Sequence, residues 1–164
     1  MQREDWVVID VETTGLDQRA EIVEVAAISP RGEALLNHLV HPRCALHESM
    51  VRIHGLDEKV LASAPFFEEL YSAMYLVLTG RCAIAYNAEF DRWALDTACF
   101  KAGVAPLDCS WECALTWYQR WRGFRPSLAT ACEVEGITIS KLHRALPDAL
   151  LVWRLLQKMA GNHP

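Results

Sequence analysis

Trp6-Val7-Val8-Ile9, a short apolar run rich in β-branched residues, leads directly into Asp10-Val11-Glu12, and few folds accommodate that junction. The run reads as a buried strand ending at Asp10. Alternate residues on a strand share a face, so the two carboxylates project together. Two acids side by side at the end of a buried strand repel each other and resist burial. A divalent cation relieves that repulsion, and hard oxygen ligands suit magnesium or manganese. A strand end that merely reaches solvent explains the pair equally well, so this motif alone decides nothing.

The rest of the chain supplies the sheet such a strand needs. After a turn at Thr13-Thr14-Gly15-Leu16, a second strand is expected at about 21–29 and a third over 33–40. Pro30-Arg31-Gly32 turns between them, giving an antiparallel meander. Short helical pieces are expected around Ile53-His54-Gly55-Leu56. Ser63-Ala64-Pro65 has the form of a helix start, continued over 66–78. A fourth strand follows over 82–86, then a helix over 89–101 that stops at Gly103. A short fifth strand at 109–112 runs into a helix through Trp117 and Trp121, broken by Gly123 and Pro126. A helix over 127–135 closes at Gly136, and the last begins near Pro147 and runs to Gly161. The order predicts an α/β fold with a five-stranded mixed sheet, an antiparallel meander plus two parallel strands, flanked by helices. With 164 residues and no repeat or linker, the chain reads as one domain over 1–164.

Two further acidic elements stand at helix starts. Asn87-Ala88-Glu89-Phe90-Asp91 spans a strand-to-helix junction, and helix polarity favours a negative charge at Asp91. In His143-Arg144-Ala145-Leu146-Pro147-Asp148, Asp148 opens the last helix with His143 just before it. Ordinary helix-start chemistry accounts for each of them singly.

The formal net charge of −5 argues against a protein that grips long duplex by its phosphates. It leaves room for an enzyme that handles a strand end, where metal ions neutralise clustered carboxylates. The six cysteines lack paired metal-site spacing and are expected to be free thiols in a reducing cytoplasm. No apolar run approaches a bilayer span, so no membrane association is expected. Arg3, Glu4 and Asp5 leave no room for a signal peptide, so the expected location is cytoplasmic.

Taken in order, the three motifs resemble those of the DEDD exonuclease superfamily, and the resemblance runs from Asp10 to the final helix. Asp10-Val11-Glu12-Thr13-Thr14-Gly15-Leu16 matches the first motif in full, Asn87 to Asp91 matches the second, and His143 with Asp148 matches the third. One branch carries His five residues before the last Asp; the other carries Tyr four before it. Those positions hold His143 and Arg144, so the chain resembles the histidine branch, DEDDh, and within it the small bacterial stand-alone nucleases of the exonuclease X type. Tyr86 departs from the His that usually opens the second motif, beside the terminal nucleotide in relatives.

The resemblance implies a ribonuclease H-like fold and a metal-dependent 3′→5′ exonuclease releasing nucleoside 5′-monophosphates. It also implies two Mg2+ ions, with Mn2+ able to substitute. Asp10, Glu12 and Asp148 would bind the metal that carries the attacking water. Asp10 would bridge to the second metal, supported by Asp91, and His143 would be the general base. Thr13, His54, Leu56 and Asn87 would contact the substrate, with Phe90 serving as a substrate contact or as a core aromatic. The implied partner is nucleic acid with a free 3′ end, single-stranded DNA or a frayed duplex end; a homodimer is left open. RNA or short oligoribonucleotides remain the alternative substrate, and a non-catalytic nucleic-acid module the rival reading. The crowded carboxylates count against the rival, because binding alone needs none of them.

Trp117, Tyr118 and Trp121 interleave with Arg120, Arg122 and Arg125, a pattern that can stack bases and hold phosphates. Trp117 and Trp121 are four apart on one helix face, however, which favours packing on a core.

Overall fold

The computed structural model describes residues 5–161. Arg3 and Glu4, on which the N-terminal reading partly rests, lie outside them. The sheet is built around β1 (Trp6–Thr13), which pairs antiparallel with β2 (Ile22–Ile28), itself antiparallel to β3 (Ala34–Leu39). On its other side β1 runs parallel to β4 (Cys82–Ala85), and β4 parallel to β5 (Ser110–Cys113). The order is β3-β2-β1-β4-β5, the expected mixed five-stranded sheet.

β1 is longer than its apolar run. Its ladder with β2 continues through Asp10↔Ala26 and Glu12↔Glu24 and, past a register shift, to Thr13↔Ile22. Backbone pairing thus carries polar residues onward as strand where side-chain pattern marks an end.

Seven helices complete the described residues: α1 (Glu48–His54), α2 (Glu58–Leu61), α3 (Phe67–Leu78), α4 (Ala88–Ala102), α5 (Ala114–Arg122), α6 (Leu128–Val134) and α7 (Ala145–Gly161). α3 starts two residues after Pro65, and the Phe66 N–H donates to Glu69 Oε2 at 2.7 Å, satisfying a donor at the helix start. α4 ends as expected at Gly103, whose φ of 68° is the left-handed conformation that a residue without Cβ adopts most easily. α7 begins at Ala145, ahead of the expected start near Pro147. Proline fits there because a first-turn N–H has no intrahelical acceptor to lose.

The strand period of two divides the core. Val7, Ile9 and Val11 pack with α3 and α4 through Met74, Leu78 and Leu95. Val8 packs on the other face with Ile28, Ile84, Tyr118, Val152 and Leu155, from β2, β4, α5 and α7. Asp10 and Glu12 share the parity of Val8, so they point towards the layer that holds α7. The six cysteines are free, and no helix among the described residues is long and apolar enough to cross a membrane.

Candidate active site

Asp10 and Glu12 on β1 meet Asp148, which stands in the first turn of α7. One carboxylate oxygen from each lies within 4.8 Å of the others. Asp148 Oδ2 accepts the backbone N–H of His143 at 3.0 Å, while Asp148 Oδ1 is buried without a hydrogen-bond partner. Asp91, in the first turn of α4, accepts the N–H of Val11 at 3.2 Å. Because Val11 separates Asp10 from Glu12, that bond ties the second acidic motif to the first.

These carboxyls hold their protons far more tightly than usual. Asp10 is raised well above the carboxylate range, chiefly by burial and then by Asp91, Glu12 and Asp148. Glu12 is pushed up to about 8 by burial, then by Asp148, Glu24 and Asp91. Burial raises Asp91, against the backbone hydrogen bond from Val11. Burial also raises Asp148, against the hydrogen bond from His143. Ionising them together requires added positive charge. The donor set is all oxygen and includes the unpartnered Asp148 Oδ1, so it fits a hard divalent cation such as magnesium or manganese.

His143 is exposed on the segment between α6 and α7. Its φ of 59° makes it the one non-glycine with a positive φ among the described residues. That conformation is uncommon for a side chain of this size and persists where surrounding contacts impose it. Arg144 supplies such a contact, forming a two-pronged ion pair with the buried Glu24 of β2. Motif reading passes over Glu24 and gives Arg144 no role of its own. The available signal was an acid inside the otherwise apolar Ile22-Val23-Glu24-Val25-Ala26-Ala27.

The expected substrate contacts divide. Asn87 is exposed at the N-cap of α4, and its side chain makes no capping hydrogen bond there. Thr13 is buried, its hydroxyl donating to the Gly15 carbonyl at 2.7 Å. The Nδ1 of His54 accepts the Leu56 N–H at 3.0 Å; its Nε2 is buried without a partner, and desolvation is the main cause of its lowered pKa. Leu56 itself is 2% exposed and packs with Val23 and Leu61, so its side chain serves the core. Phe90 is half-buried against the core, 5.7 Å from Trp93 between ring centroids.

Tyr86 also points inward. It packs with Tyr118 and Cys132, and its hydroxyl donates to the Pro126 carbonyl at 2.9 Å. Trp117 and Trp121 pack on the core as expected, and also line a cleft of about 960 Å³ with Trp6, Cys82 and Leu156. None of the clustered acids lines it. Arg122 is engaged within the protein, donating to Glu135 at 2.8 and 2.7 Å and covering the Trp121 ring, whereas Arg125 is exposed.

A mixed sheet with clustered carboxylates on its central strand and a histidine beside them defines a nuclease of the ribonuclease H-like fold. The exonuclease family model of the RNase T type matches residues 7–156, and the chain belongs to that family, in its DEDDh branch of 3′→5′ exonucleases. It is 28% identical over 172 residues to the uncharacterized exonuclease CP81 of Escherichia phage 186, covering 96% of this chain and 89% of that protein. It is 27% identical over 167 residues to the PolC-type DNA polymerase III of Bacillus cereus, where 97% of this chain spans 12% of the polymerase. Among solved structures, exonuclease X in complex with 5′ overhanging duplex DNA shares the fold at a TM-score of 0.77 and 24% identity, covering 96% of this chain and 92% of that one.

Proposed function

We propose that the protein removes nucleotides singly from the 3′ end of DNA, with divalent ions held by Asp10, Glu12, Asp91 and Asp148 and with His143 as general base. The observation that carries this reading is the meeting of three carboxylate oxygens within 4.8 Å. The buried, unpartnered Asp148 Oδ1 supports it. Two magnesium ions, or manganese in their place, would supply an activated water and stabilise the attacking and leaving oxygens.

The residues of the chain do the remainder. Asp10 feels the charges of Asp91, Glu12 and Asp148 together, which supports it as the acid that would serve both ions. His143 accepts the proton of the water that attacks phosphorus. The bond from phosphorus to the upstream O3′ then breaks, leaving a 3′-hydroxyl on the strand and a free nucleoside 5′-monophosphate. Asn87, with an exposed and uncommitted side chain, faces the terminal nucleotide together with His54 and the backbone around Thr13. Single-stranded DNA or a frayed duplex end suits a chain of net charge −5, because an enzyme acting at a strand end needs little grip on long duplex. DNA is favoured over RNA because the PolC-type relative is a DNA polymerase and exonuclease X was solved with DNA.

The test is side-by-side incubation of 5′-labelled single-stranded DNA, duplex DNA and RNA with magnesium. A descending ladder on DNA, abolished by chelator and restored by magnesium or manganese, is the expected result. Faster shortening of RNA would move the assignment to an exoribonuclease. Cutting of a closed single-stranded circle would exclude an exonuclease mechanism.

A further inference from the structure

Glu24 is only 2% exposed in the middle of β2, and its partner stands 120 positions away. Arg144 Nε donates to both Glu24 oxygens at 3.1 and 2.9 Å, a terminal guanidinium nitrogen donates to Oε1 at 2.7 Å, and the Ala145 N–H donates to Oε2 at 2.9 Å. Each oxygen of Glu24 thus receives two donors. Although Glu24 stands across the ladder from Glu12, it is occupied by these bonds and is not one of the clustered acids.

The donors flank a critical backbone segment. Ala145 is the first residue of α7, and Arg144 is bonded directly to His143, whose φ of 59° is left-handed and whose N–H is held by Asp148. Contacts to Glu24 on one side and to Asp148 on the other therefore bracket His143. A side chain at left-handed φ returns to the extended or right-handed region unless its neighbours prevent it. The bidentate fork restrains Arg144 in direction as well as distance, which a single charged contact does not.

We infer that the Glu24–Arg144 pair is a positioning device for catalysis: it holds the residue 143–145 backbone so that the His143 imidazole stands at the carboxylate cluster. Neither residue touches the reacting atoms. The inference rests on His143 as general base, and its test separates the two claims.

The experiment is a cycle of four proteins: wild type, Arg144→Lys, His143→Ala and the double variant. Each is assayed on 5′-labelled single-stranded DNA with saturating magnesium. Lysine keeps the charge and loses the fork. Arg144→Lys is expected to lower kcat by about 10- to 100-fold, the size of effect that a shift of about 1 Å in a catalytic group produces. KM and the magnesium dependence should stay near wild type. In the His143→Ala background the same substitution should change kcat by less than about twofold, because the group it positions is gone. Equal losses in both backgrounds, or no loss in wild type, overturn the positioning role while leaving His143 as base. Wild-type turnover in His143→Ala overturns the base assignment and the positioning role together. Should Arg144→Lys fail to fold, Glu24→Gln, which preserves shape and removes the charge, is scored by the same criteria.

Discussion

Glu12 on β1 stands directly across the antiparallel ladder from Glu24 on β2, and both carboxylates are buried. Like charges opposite one another destabilise a sheet unless each finds a partner. Glu24 has Arg144 and the Ala145 N–H. Glu12 instead joins Asp10 and Asp148, where burial and neighbouring charge raise its pKa to about 8. One acid of the pair is thus built into the scaffold, and the other stands in the acidic cluster.

The first prediction is a pH dependence of metal-free stability. The Glu12 pKa rises from 4.5 to about 8 on folding, and Asp10 and Asp148 are raised too. Between the unfolded and folded values the native state binds more protons, so stability falls as pH rises through that window. In chelator, the melting temperature should drop from about pH 5.5 to about pH 8, and magnesium should restore more at the upper end. A flat or rising metal-free profile would contradict the crowding of these acids.

For His143→Ala, turnover should fall by roughly 10²–10⁴-fold, the usual contribution of a general base. Magnesium should still raise the melting temperature of the variant, because Asp10, Glu12 and Asp148 remain and the bond to Asp148 comes from the residue 143 backbone. Near-normal turnover would make His143 a bystander.

Asp10→Asn separates a functional acid from a structural one. It keeps the shape and removes a group whose ionisation burial, Asp91, Glu12 and Asp148 oppose. In chelator the variant should melt no lower than wild type, and magnesium should stabilise it much less. A scaffolding aspartate would behave in the opposite way, costing about 1–3 kcal/mol when its charged hydrogen bonds weaken. Melting several degrees below chelated wild type, with equal magnesium shifts, would reject Asp10 as a ligand.

Tyr86→Phe should act on stability with little effect on turnover. Its hydroxyl bonds to the Pro126 carbonyl, and its ring packs with the Tyr118 side of the core. Losing that bond should cost about 0.5–1.5 kcal/mol. For a chain of this size that corresponds to roughly 1–6 °C in melting temperature. A large loss of turnover with an unchanged melting point would place Tyr86 at the substrate instead.

Local physics made much of the protein legible from the sequence. The apolar run before Asp10, the turn at Pro30-Arg31-Gly32 and the stop at Gly103 each state an element or its end through side-chain period or backbone freedom. Their order predicts the mixed sheet, and the motifs around Asp10, Asp91 and Asp148 carry the resemblance that identifies the family. The errors were at boundaries, as at β1 and α7, where a ladder partner or a first-turn proline overrides the local pattern.

Residue order alone carried the architecture, because strand period, turns and caps operate within a few positions of the chain, and the three motifs carried the resemblance to the family. Tertiary structure alone decided which carboxylate oxygens converge, that Leu56 and Tyr86 turn inward, and that His143 is held left-handed beside Asp148. The converging carboxylates and the held His143 depend on α7 packing across β1 and β2, which brings Arg144 to Glu24 over 120 positions. No short-range pattern encodes such a meeting, because the packed core fixes the distance between segments that the sequence keeps far apart.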